Sequence, residues 1–298
     1  MIMKTSRRQF IQITSTAAIG AVAGCASSAS SATVARNWPV GCFNRPWSKW
    51  GYDTTLDGIQ AAGYPLTGLL TRSPADPFIG ADASPDYLTA LRAKISSRGL
   101  KANMGALRSR HDVPVADSIQ EMHRQIDNAK FLGLEFILTF GVDKPAQYDH
   151  YYEVIAESAA YAHSKGLKLV LKPHGGGSGA AEEILRCMRK VGHPNFKIWY
   201  DAGNIIHYTG KDPLTELEPI ADYVTGFCAK DCAKVKGEVM TQFGTGKVDF
   251  LAIFKRLKKA GFNGPIMVEG VKVGATPEET TANAKANREF LERVLAQV

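Results

Sequence analysis

The 298-residue chain has no C-x-x-C spacing among its five cysteines, Cys25, Cys42, Cys187, Cys228 and Cys232. That excludes the common zinc modules and dithiol redox motifs. A body of about 260 residues also buries enough apolar surface to need no disulfide staples. Blocks of like charge and stripes of interleaved aromatic and basic residues are missing, which excludes nucleic acid as a partner. The first strand-like segment runs into Gly41-Cys42-Phe43-Asn44, without a G-x-G-x-x-G turn, so no nucleotide cofactor is expected. The apolar stretch at residues 11–23 is too short to cross a bilayer as a helix. With 45% hydrophobic and 22% charged residues, the composition fits a globular chain rather than a fibrous or disordered one.

The first 24 residues form a separate text. They carry Lys4, Arg7 and Arg8, no acid, and then the short apolar stretch. Ser6-Arg7-Arg8-Gln9-Phe10-Ile11 looks like a twin-arginine export signal, and Val22-Ala23-Gly24-Cys25 resembles a lipobox. The expected organisation is an export signal at 1–24, a Ser/Ala-rich linker at 25–36 and one domain at 37–298. The protein is expected in the periplasm, or lipid-anchored to the membrane at Cys25, with no other membrane contact. Removing the signal takes three positives from the formal +7 and leaves a mild, dispersed +4.

Beyond the linker, strand-like and helix-like segments alternate about every thirty residues. Apolar runs at 39–44, 66–70, 100–105, 134–140, 167–172, 196–201, 223–228 and 265–269 are continuous rather than alternating, as strands buried on both faces must be. Ile119, Met122, Ile126 and Ala129 recur at helical spacing, as do Phe250, Ile253, Phe254 and Leu257. Glycines such as Gly133 and Gly261 close the helical runs. Eight such units in about 260 residues predict an α/β fold, a single-domain (β/α)8 TIM barrel.

Chemistry on that fold gathers at the carboxyl ends of the strands. Those positions hold Asn44-Arg45-Pro46-Trp47, Thr71-Arg72, Arg108 to His111, Lys172-Pro173-His174, Asp201 with Asn204 and His207, Cys228-Ala229-Lys230-Asp231, and Glu269. Ionisable groups at the ends of apolar strands must pair, hold a metal or meet a ligand. The run Gly175-Gly176-Gly177-Ser178-Gly179 before a helix also offers backbone N–H groups to an anionic oxygen.

From Gly41 to the last helix the chain resembles the xylose-isomerase-like barrels, the sugar phosphate isomerase/epimerase family. The resemblance is carried by "AAGY" before the second strand, "FLGLEFIL" at the fourth, "AKD" after the seventh, "FGTGKVDF", and "PIMVEG" at the eighth. It implies a small carbohydrate substrate and one divalent metal (Mn, Mg, Zn or Co) held by Glu, Asp, His and Glu after strands five to eight. Asp201 and Glu269 match; Lys172 and Cys228 stand in the other two places, and Asn204 replaces a common histidine. One reading keeps a metal on Asp201, Glu269 and Cys228, completed by His174 or His207. The preferred reading lets Lys172 replace the metal as the local positive charge.

The expected activity is an exported sugar isomerase or epimerase that removes a proton next to a sugar carbonyl. Glu269 is taken as general base, Lys172 as electrophilic stabiliser and His174 as acid or substrate contact. Asn204, His207, Lys230, Trp47 and Arg72 are expected to bind substrate. Alternatives are a lyase or hydratase acting by β-elimination on keto-sugars or keto-glycosides, an imine-forming Lys172, and a non-catalytic sugar-binding barrel. The reading leaves room for a homo-oligomer.

Overall fold

The computed structural model describes residues 38–298. The export signal, the lipobox at Cys25 and the Ser/Ala-rich linker lie outside the described residues.

Eight parallel strands close into a barrel in sequence order. They are β1 (Val40–Phe43), β2 (Leu66–Leu69), β3 (Lys101–Ala106), β4 (Phe136–Thr139), β5 (Lys168–Leu171), β6 (Phe196–Tyr200), β7 (Val224–Ala229) and β8 (Ile266–Val268). Each lies within two residues of its sequence-predicted segment. The helices outside are α1 (Tyr52–Ala61), α2 (Pro85–Ser96), α3 (Val115–Phe131), α4 (Tyr148–Ser164), α5 (Ala181–Val191), α6 (Ala202–Thr209), α7 (Pro213–Leu217), α8 (Phe250–Lys259) and α9 (Pro277–Leu295). The periodic residues of α3 and α8 face the core as expected: Met122, Ile126, Ala129, Ile253, Phe254 and Leu257 are buried. Among the described residues no helix is long and apolar enough to cross a membrane.

Two apolar layers result. One lies between strands and helices. The other fills the barrel with Phe43, Met104, Phe136, Trp199 and Met267 among others. The filling depends on pairing large with small across neighbouring strands: Phe43 is in register with Gly68, and Trp199 with Gly226. A β-carbon at Gly226 would overlap the Trp199 indole, so only glycine leaves that ring its place. This plug floors the barrel mouth with hydrocarbon, and charges set on it feel little water.

Candidate active site

Four strand ends converge on one charged cluster. Lys172 follows β5, Asp201 follows β6, Lys230 follows β7 and Glu269 follows β8; all four are at most 1% exposed. Asp201 owes its position to α6, whose N-terminus it caps by accepting the Asn204 N–H at 2.9 Å. Its other oxygen, Oδ2, lies 3.2 Å from Lys172 Nζ and 3.3 Å from Lys230 Nζ. Both ammoniums sit outside hydrogen-bond geometry, so that oxygen is held by charge alone. Asn204 ties the loops together by donating to the Pro173 carbonyl (2.7 Å) and accepting from Lys230 (3.0 Å).

Glu269 is the hub. Oε1 meets Arg45 and, at 2.9 Å, Lys230; Oε2 meets Lys172 and accepts the Cys228 thiol at 3.0 Å. Burial alone would push its carboxyl up, but Lys172, Lys230 and Arg45 outweigh burial and hold it well below the usual carboxylate range. Both oxygens of this carboxylate are thus already engaged by cations and a thiol. The residue that the sequence marks as general base is seen here gathering three cations. Burial likewise opposes the charge of Lys172, and the surrounding acidic groups overcome it and raise its pKa above that of a free lysine.

Above this floor opens a cleft of about 390 Å³ lined by Arg45, Arg72, Arg108, Phe140, Lys172, His174 and Glu269, among others. That volume suits one small ligand. His174 is half-buried, packs edge-on to Phe140 and shares a hydrogen bond of 3.0 Å between Nε2 and the Tyr208 hydroxyl. Burial, then Lys172 and Lys230, pull its pKa down to about 4. The imidazole is therefore neutral at neutral pH.

Several expected ligand contacts fall elsewhere. Trp47 is fully buried, with its indole N–H on Thr281 Oγ1 at 3.3 Å and its ring against Gly58. It anchors the turn after β1 to α1 and α9, because that turn rotates the side chain away from the axis. His207 turns outward and meets the Gly237 carbonyl at 2.9 Å. The glycine run is filled from within: Gly177 N–H donates to the Val142 carbonyl, and Ala181 N–H at the start of α5 donates to Glu216 at 2.7 Å.

Arg45 was named at a strand end but given no role, and Phe140 and Tyr208 were not singled out from sequence; all three lie at the site. Arg45 and Phe140 obey the strand-end rule that found Lys172. Tyr208 lies one turn beyond Asn204 on the same helix face.

Asp201, Cys228 and Glu269 offer donor atoms within 4.8 Å of one another, a spacing that suits a divalent cation. Their chemistry does not suit one. Both carboxylates are already bound by ammonium groups, and burial, Asp201 and Glu269 push the Cys228 thiol far up, keeping it protonated. A metal would have to expel two lysines and a proton, so the expected three-residue ligand set is not competent as arranged.

Fold and mouth together define a parallel barrel with a buried ionic site at the carboxyl ends of its strands. The family model described as xylose isomerase-like TIM barrel matches residues 56–294, and the chain belongs to that family. It is 24% identical to an inosose dehydratase of Lacticaseibacillus casei, over 83% of this chain and 93% of that protein. It is 26% identical to the putative L-ribulose-5-phosphate 3-epimerase SgbU of Escherichia coli K12, over 78% and 89% respectively. The fold is shared with a D-psicose 3-epimerase of Clostridium cellulolyticum H10 crystallised with D-tagatose: TM-score 0.69, 16% identity, 86% of this chain and 99% of that one. A Mycobacterium smegmatis barrel in complex with magnesium aligns at TM-score 0.72 and 17% identity, over 88% and 98% of the two chains.

Proposed function

We propose that the protein is an exported enzyme that removes a proton next to the carbonyl of a small carbohydrate, leading to epimerisation, isomerisation or loss of water. Epimerisation beside a carbonyl and elimination β to it share that first step, and the two kinds of relative, epimerase and dehydratase, are what support it. Export is supported by the sequence of residues 1–24.

The observation that carries the reading is the pair of buried ammonium groups, Lys172 and Lys230, set on Asp201 and Glu269. Lys172 reaches the cleft floor as a fixed positive charge in a water-poor setting, where it stabilises the oxyanion that forms when the proton leaves. Its raised pKa keeps it an ammonium, which supports charge stabilisation over imine formation. No metal is required in this scheme. We assign the proton transfer to His174, neutral and facing the cleft, with Tyr208 holding the ring.

The direct test is exchange of the C–H hydrogen next to the carbonyl of keto-sugars in D2O, followed by proton NMR. Exchange with the wild type and its loss in Lys172→Met support the reading, and the product identifies epimer or alkene. Binding without exchange for every keto-sugar would make the barrel a sugar-binding protein. Borohydride should trap no adduct; a covalent adduct on Lys172 would establish an imine instead.

A second expectation concerns pH. The His174 resonance should titrate near 4, and its midpoint should rise in Lys172→Met, where one repelling cation is gone. The unfolded chain takes up this proton near 6.5, so between about 6.5 and 4 the unfolded state binds more protons. Through this histidine, stability therefore falls as pH drops across that window. A wild-type midpoint at or above 6.5 would contradict the assignment.

A further inference from the structure

The cleft carries more positive charge than its floor needs. Its lining holds four cations, Arg45, Arg72, Arg108 and Lys172, against one carboxylate, Glu269. That carboxylate is already shared by Arg45, Lys172 and Lys230. Arg72 and Arg108 have no carboxylate at ion-pair distance; the nearest, Asp82, stands off from Arg72 beside Gly80.

Among the described residues neither of these guanidiniums is in an ion pair; both donate to neutral oxygens. Arg72 Nη2 reaches Gln125 Oε1 at 2.9 Å and the Ala106 carbonyl at 3.3 Å. Arg108 reaches the carbonyls of Leu107 (3.1 Å) and Leu70 (3.0 Å). Arg72 Nε is buried and donates to nothing. Burial and the nearby Arg108 draw the Arg72 pKa down to about 10, and Asp82 offsets them only in part. Two guanidiniums that line one cleft, one with an idle buried donor, offer a place for an anion to join them.

The pair is held in place deliberately. Gln125 on α3 is 2% exposed, and its amide closes a ring of hydrogen bonds. Oε1 accepts from Arg72 and from the Arg108 backbone N–H (2.9 Å), while Nε2 donates to the Arg108 carbonyl (2.9 Å). Phe140 lies beneath the Arg108 guanidinium at 5.1 Å. Such fixed, unpaired guanidiniums match the planar oxygens of a carboxylate or the oxygens of a phosphate.

We propose that Arg72 and Arg108 hold an anionic group on the carbohydrate, so that the substrate is a sugar acid or a sugar phosphate rather than a neutral sugar. The inference rests on the cleft being the carbohydrate site, and it extends that reading to the substrate's charge. The anion lies toward the ends of β2 and β3, with the reacting carbonyl toward Lys172.

The test is calorimetric binding of D-glucose, D-glucuronate and D-glucose 6-phosphate, which share a ring and differ in charge. At least one anionic ligand should bind about tenfold or more tighter than glucose. Raising the salt should narrow the gap, and which anion gains identifies carboxylate or phosphate. Arg108→Gln, at an exposed side chain, should bring the anionic ligands down toward the affinity of glucose; Arg108→Lys should keep part of the preference. Equal binding of all three, no binding of any, or a preference that survives Arg108→Gln with Arg72→Gln would overturn the proposal. Binding is read without turnover, so the two readings fail separately. A charge preference without C–H exchange sinks the catalytic reading alone, and rapid turnover of neutral keto-sugars sinks the anionic substrate alone.

Discussion

Lys172→Met is expected to lower turnover by roughly 100-fold or more and to destabilise the barrel by about 3–5 kcal/mol. The two losses have separate origins. Turnover falls because the positive charge at the cleft floor is removed while the shape of the site is largely kept. Stability falls because Asp201 Oδ2 and Glu269 Oε2 lose an ammonium while both carboxylates stay buried. Chemical denaturation measures the second effect and C–H exchange the first. Lys172→Arg should restore part of the stability and little of the activity, since a planar fork cannot occupy the space of a compact ammonium. Activity within a few-fold of wild type in Lys172→Met would remove the residue from the mechanism.

Glu269→Gln should be at least as damaging to stability, about 3–5 kcal/mol, because one carboxylate neutralises Arg45, Lys172 and Lys230 together. Arg45 is half-exposed and can turn to solvent, whereas the two lysines cannot. The signature that separates an organising role from a basic one is the double variant. If Glu269 mainly holds cations, Lys172→Met combined with Glu269→Gln should lose less stability than the two single changes added together. Additive losses would mean that the pair is not coupled. A Glu269→Gln protein that folds normally yet fails to exchange the substrate C–H would return the base role to Glu269.

The barrel itself was legible because its strands are buried on both faces and so read as unbroken apolar runs. The strand-end rule then located Lys172, Asp201, Lys230 and Glu269 without any knowledge of contacts. It went wrong where local geometry rotates a side chain. Trp47 follows β1 closely but sits in a turn that carries its ring outward beneath α1 and α9. On α6, His207 and Tyr208 are neighbours in sequence, yet only Tyr208 reaches His174. Periodicity alone does not separate two adjacent residues on a short helix. That Glu269 gathers three cations at once was beyond sequence, since it depends on which of them arrive from β1, β5 and β7.

Cys228 is one of four described cysteines, with Cys42, Cys187 and Cys232, all unpaired and all buried. Closed, the barrel presents none of these sulfurs to a thiol reagent. Each becomes reactive only when its part of the wall parts: Cys42 on β1, Cys187 on α5, Cys228 on β7 and Cys232 just beyond it. The chain therefore carries its own set of opening sensors spread around the cylinder, and the order in which they label maps which seam of the barrel gives way first.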